Sequence, residues 1–193
     1  MEGTTTMKRK AVLLFGAIVV VALLIKLGYA VAGLGLKDEG VGMYTDPSVA
    51  NQASTFTINR VKISCGVGTL NAGGAIGPFE MLMYSLSVDR YDVVRTSPRT
   101  ITATGKMRSV TRVGGVVIED TDGSGTNPPP HDYIAIAEDN DSPQKDRFTT
   151  HFKTPFWHPG NPMCTPSTKY PGLCQFGGNL FMGNVAVSPG QQF

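Results

Sequence analysis

Thr102-Ala103-Thr104-Gly105-Lys106-Met107-Arg108 and Tyr133-Ile134-Ala135-Ile136-Ala137 decide the class of this chain. Both are rich in β-branched or aromatic residues, and neither carries the 3.6-residue apolar period of an amphipathic helix. They belong to a series of β-prone runs, Phe79 to Val88, Thr100 to Met107, Val110 to Ile118, Asp132 to Ala137, Arg147 to Lys153 and Asn179 to Val187, each bounded by Gly, Pro, Asn or Asp. Upstream, Phe56, Ile58, Val61 and Ile63 alternate imperfectly with Thr57, Asn59, Arg60 and Lys62, as in a half-buried strand with a bulge near Arg60. Gly66 to Pro78 reads as a loop. About seven strands with no long amphipathic helix after residue 36 point to an antiparallel sandwich or barrel. An all-β antiparallel β-sandwich, Ig-like or jelly-roll-like, is the expected architecture.

Composition agrees with that class. All 13 prolines and 20 of the 23 glycines lie after Ala32, which disfavours a helical bundle. With 193 residues the chain has room for one ordinary domain and a short extra segment. Seventeen Lys and Arg against 15 Asp and Glu give a net charge of +2, too small an excess for a general nucleic-acid binder.

That small charge is unevenly placed. Lys8, Arg9, Lys10 and Lys26 against Glu2 make residues 1 to 36 basic by +3, leaving −1 for the rest. Ala11 to Ile25 has no charge, and Leu27 to Leu36 continues the apolar run. A basic flank before an apolar run is the layout of an export signal. Residues 11 to 32 would extend about 33 Å as a helix, enough to cross a bilayer core of about 30 Å. One transmembrane anchor at 11–32 is therefore expected, with 1–10 cytoplasmic. Ala30-Val31-Ala32 before Gly33 also fits cleavage as a signal peptide. Residues 33–52 read as a linker and 53–193 as an extracytoplasmic domain.

From Thr154 to Phe193 the only charged residue is Lys169, yet Phe156, Trp157, Tyr170 and Phe176 fall in its first part, 154–176, among five prolines. Interface cores are likewise poor in charge and rich in aromatics, so the Pro-rich loop 154–176 is the candidate partner surface through these four aromatics. The same composition suits a loop that folds over the end of the domain and closes its core.

Within this loop Cys164 and Cys174 bracket Thr165 to Leu173 at a spacing suited to a local disulfide in an exported protein, stabilising by about 2–3 kcal/mol through loop closure. Cys65, ending a β-prone run, reads as a buried free thiol, with an intermolecular bridge as the alternative. Asp120, Asp122 and Ser124, with Gly125 following, resemble the first half of a calcium loop. The twelfth place holds His131 instead of Glu, so a hairpin loop competes with calcium, the one cofactor this sequence suggests. His131, His151 and His158 lack zinc or haem spacing, and no nucleophile elbow or phosphate-binding loop is present. Enzymatic activity is not expected.

Asp139-Asn140-Asp141-Ser142-Pro143-Gln144-Lys145-Asp146-Arg147-Phe148 resembles the D-N-G-x-P-x-x-x-D-x-F turn of a secreted bacterial all-β sandwich domain, and Gly177-Gly178-Asn179-Leu180 is similar to its closing G-G-N-I strand. Asp141 replaces the usual Gly, and one residue is missing before Asp146. The resemblance implies an extracytoplasmic domain without assigned catalytic residues. The functional expectation is a non-catalytic, membrane-anchored accessory subunit on the periplasmic or extracellular side. Its partners would be membrane lipid and a larger integral membrane protein complex, such as a respiratory or photosynthetic assembly. The alternative is a secreted binding domain for a surface glycan or a calcium-dependent contact.

Overall fold

The computed structural model describes residues 38–46, 52–70, 79–140 and 145–188. They form eleven strands: β1 Glu39–Asp46, β2 Gln52–Ile58, β3 Ile63–Leu70, β4 Phe79–Ser85, β5 Arg90–Val94, β6 Arg99–Val113, β7 Val116–Asp120, β8 His131–Asp139, β9 Arg147–Phe152, β10 Thr165–Pro166 and β11 Cys174–Ala186. Eight of these run antiparallel in the order β1-β2-β3-β4-β6-β8-β9-β11, and β1 pairs again with β11. The sheet therefore has no end. It is a closed up-and-down barrel, which corrects the expected sandwich. Inward and outward residues alternate with a period of two in both architectures, so the pattern of side chains is the same for either.

The 15-residue strand β6 organises one wall. Its first half pairs with β5 on one side and β8 on the other, and its second half with β4 and β7. A two-residue Gly114-Gly115 turn, with φ of 58° and 80°, joins β6 to β7. Such positive φ values are what a tight hairpin requires, and they split the expected run 110–118 in two.

Several boundaries differ from the sequence reading. The slip near Arg60 is a hairpin turn: the Asn59 carbonyl Oδ1 accepts from the Val61 and Lys62 N–H groups at 2.9 and 2.7 Å. Strand β3 runs on through Gly66 to Leu70. The stretch 33–52, read as a linker, contains β1, whose inward positions are Gly40, Gly42 and Tyr44. Two of these three have no side chain to signal burial. Phe56 and Ile58 of β2 fill the space, and a Cβ on Gly40 would lie 3.1 Å from both.

The expected single-pass transmembrane helix and signal anchor gain no support. Among the described residues no helix is long and apolar enough to cross a membrane. Residues 11–32, and the expected cytoplasmic segment 1–10, lie outside the described residues.

An eight-stranded barrel is just wide enough to be filled by its own side chains. One interior layer stacks Phe148 on Phe56 at 4.4 Å, with Tyr44 against Phe148 at 5.7 Å. A second stacks Phe152 on Phe176 at 5.0 Å. Cys65 is buried in this core, outside the disulfide.

The seam between β1 and β11 rests on the facing pair Gly42 and Gly183, beside a register shift at Met43/Tyr44. Gly183 has φ 101°, and a Cβ there would lie 2.2 Å from the Val41 carbonyl oxygen. Gly172, with φ 85°, has open space around it. Gly183→Ala is therefore expected to cost about 2–4 kcal/mol, from strain plus overpacking, and Gly172→Ala only about 1 kcal/mol. Urea denaturation of the two variants checks this difference.

Candidate binding cleft at the lidded end

The barrel has two chemically distinct ends. At one, carboxylates replace a ladder. β9 and β11 pair from Cys174↔Phe152 to Asn179↔Arg147, and β11 then departs to meet β1. The Leu180 N–H still donates to the Asp146 carbonyl at 2.8 Å, and three carboxylates take N–H groups farther along: Asp146 accepts from Val185 of β11 at 2.9 Å and, past the end of β11, Asp139 from Val187 at 3.0 Å and Asp38 from Ser188 at 3.1 Å. Arg95 forks onto Asp38 with two bonds of 2.7 Å, and Arg99 reaches Asp139 at 3.2 Å. The Arg95 fork holds the Asp38 carboxyl below its usual range, whereas burial pushes Asp146 up. Asp146 also accepts from Asn140 N–H at 3.0 Å, fastening the turn whose residues carried the family resemblance.

The other end is closed by the loop after β9. Trp157 is fully buried as a plug, its indole N–H donating to Thr111 Oγ1 at 3.1 Å and its ring edge-on to Phe176 at 4.9 Å. The Cys164–Cys174 disulfide is present and ties the loop to the first residue of β11. Of the four aromatics proposed as a partner surface, Trp157 and Phe176 are thus core. Tyr170 is half-buried, edge-on to the buried His151 at 4.8 Å. Phe156 is half-buried, edge-on to Trp157 at 4.9 Å, and also faces a cleft.

Asp120, Asp122 and Ser124 are brought together, but around a guanidinium. Arg108 donates to both oxygens of Asp120 at 2.7 and 2.6 Å and to Asp122 at 3.3 Å. Ser124 donates its hydroxyl and N–H to Asp122, and the Asn127 amide adds a third bond, which hold the Asp122 carboxyl down to about 2. The positive charge that calcium would supply comes from Arg108, and the carboxylates brace the loop 121–130. Among the described residues no group of three or more His, Cys, Asp or Glu is placed to hold a metal. Asp139 and Asp146 are at the opposite end of the barrel, where Asp139 closes the far end of β8 from His131.

Beside this braced loop lies an open cleft of about 420 Å³. Val117 to Asp120 of β7 form one wall, Pro155 and Phe156 of the lid another, and Thr126 to Pro128 its end. Beneath it Glu119 spans the gap where β7 and the chain beyond β9 diverge. Its Oε1 accepts from Thr154 Oγ1 at 2.5 Å and from Phe156 N–H at 2.9 Å. Its Oε2 has no hydrogen-bond partner among the described residues, and burial pushes the carboxyl up. The sequence reading missed Glu119, Arg108 and the β7 edge. The visible signal was the uncharged triplet Val116-Val117-Ile118 directly before two acids.

The histidines stand apart. His131 meets Thr121 Oγ1 at 3.4 Å and the Phe152 ring at 5.1 Å. Burial pushes His131 and His151 down to about 4, and the Lys169 and Arg147 charges add to the effect on His151. Unfolding returns each to about 6.5, so the unfolded chain binds more protons between those values. The stability they contribute is full above pH 6.5 and is lost as pH falls toward 4. Glu119 and Asp146, raised by burial, act with the opposite sign. At pH 5 each histidine is expected to remove about 1–2 kcal/mol relative to pH 7.5. Denaturant midpoints of His131→Gln and His151→Gln, measured at both pH values, should each show a smaller acid loss than the parent.

Comparison with protein-family models, curated proteins and solved structures finds no match to this chain.

Proposed function

We propose that this chain is a non-catalytic, extracytoplasmic binding barrel that engages a partner protein at the cleft between β7 and the lid. The observation that carries this reading is the contrast between a lumen filled by buried aromatics and an open cleft on the outer wall. Small-molecule barrels bind in the mouth or lumen, but here Trp157 and its neighbours take that space. Ligand contacts therefore fall on the outside.

The cleft walls are pre-organised, which lowers the ordering cost of binding. Arg108, Asp120 and Asp122 brace the loop 121–130, and Glu119 fixes the start of the lid. The disulfide fits an oxidising compartment. Buried carboxylates and histidines serve the frame: Asp38, Asp139 and Asp146 hold backbone N–H groups, and the two buried histidines lie against ring neighbours.

Strand β2 lies on the wall across the barrel from β7 and β8, four places away in the strand order. A photo-crosslinking amino acid at Val117 is expected to give one dominant adduct in the native extract. The same group at exposed Thr55 on β2 should give none. Equal labelling from both positions, or labelling from neither, overturns the reading.

A further inference from the structure

We infer that the outer edge of β7 takes up an extended, uncharged peptide segment of the partner as an additional β-strand, with alternate apolar side chains of that segment entering the cleft. This rests on the binding reading above and goes further in naming the recognition mode and the chemistry of the occupant.

The first support is the backbone. Strand β7 pairs with β6 alone, and no backbone hydrogen bond joins it to the lid segment among the described residues. An edge strand directs alternate N–H and C=O groups away from its partner, and an extended polypeptide is the ligand that satisfies such a row. The lid does not fill this role. It is tied to β7 through the Glu119 side chain, at the point where a ladder would otherwise continue.

The second support is the character of this edge compared with the two other strands off the barrel path. Strand β5 carries Arg90 and Asp92 as an ion pair, and the turn after β2 covers it through Arg60 over Tyr91 at 5.5 Å. Strand β10 is two residues long and contains Pro166. Strand β7 instead presents Val116, Val117 and Ile118, exposed by 66, 48 and 42%. Charge, proline and cover are the usual devices that keep an edge from pairing, and β7 has none of them at these three positions. Its five-residue length and register shift limit pairing to a short segment, which fits a peptide and opposes open-ended stacking.

The third support is charge. Asp120 is paired with Arg108 and Glu119 is buried, so the rest of the cleft lining, Val117, Ile118, Thr126 to Pro128, Pro155 and Phe156, is uncharged and offers no partner to a charged ligand. An uncharged segment with β-branched or aromatic residues at every second position matches Val117, Ile118, Pro128, Pro155 and Phe156. A second copy of this barrel fits less well. It would bring its own lid and loop 121–130 to a cleft already walled by those elements on two sides.

The test uses the full chain and a displayed library of random twelve-residue peptides. The selected sequences are expected to be uncharged with apolar residues at alternate positions, and Val117→Lys is expected to weaken their binding at least tenfold. The leading peptide is then resynthesised with single N-methyl groups along its backbone. Methylation at every second amide should weaken binding at least tenfold, and methylation at the intervening amides should leave it within about twofold. Losses without this alternation would overturn strand addition while leaving the binding cleft in place. A library that yields no binder sensitive to Val117→Lys overturns strand addition, and the crosslinking experiment then decides the broader reading on its own. A parent protein that is dimeric in solution and becomes monomeric on Val117→Lys assigns the edge to a second copy and also overturns the proposal.

Discussion

Closure of the sheet by β1 is the constraint on which the rest of the structure depends. β1 pairs with β2 on one side and β11 on the other, and the second pairing brings together segments about 140 residues apart in the chain. To reach β1, β11 must leave β9, and its N–H groups from Val185 onward then lose a backbone partner on that side. Asp146, Asp139 and Asp38 supply the acceptors. A buried N–H without an acceptor is costly, so these carboxylates are part of the closure and not surface decoration. Gly42 and Gly183 complete the seam by letting two backbones approach where any side chain would collide with a carbonyl.

A closed barrel of this size leaves a lumen that must be filled. Phe56, Phe148, Phe152 and Phe176 fill it from the strands, and Trp157 fills the remaining end from the loop. The disulfide and the Trp157–Thr111 bond hold that loop in place. With the interior committed to its own packing, recognition moves to the wall. The wall is not uniform, because β7 and the chain beyond β9 separate before their edges can pair. Glu119 bridges the separation at one point and leaves the remainder as a cleft. The same side chain closes the lid and defines the floor of the candidate site.

How much of this was legible in the sequence varied with the kind of signal. The strands at 102–107 and 133–137 were readable from local composition, as was the cysteine pair from its spacing. Strand β1 was hidden because its inward positions are mostly glycine, so the residues that would have revealed it belong to β2. The hairpin at Asn59–Lys62 looked like a bulge because both produce a break in alternation. The composition of 154–176 suits a contact surface and a core lid equally. Only the position of Trp157 above Phe176 separates the two. Asp120 and Asp122 were conspicuous as oxygen donors, whereas Arg108, which pairs with them, lies 12 and 14 residues upstream and carried no motif.

The sequence by itself determined the all-β class, the antiparallel strands joined by tight turns, and the disulfide, because each follows from residues near one another in the chain. Tertiary structure decided that the sheet closes, that Trp157 is a plug, that Arg108 pairs with Asp120 and Asp122, and that β7 keeps an open edge. These depend on pairing between distant segments. A period of two tells which face of a strand is buried, but it carries no information about which strand stands beside it.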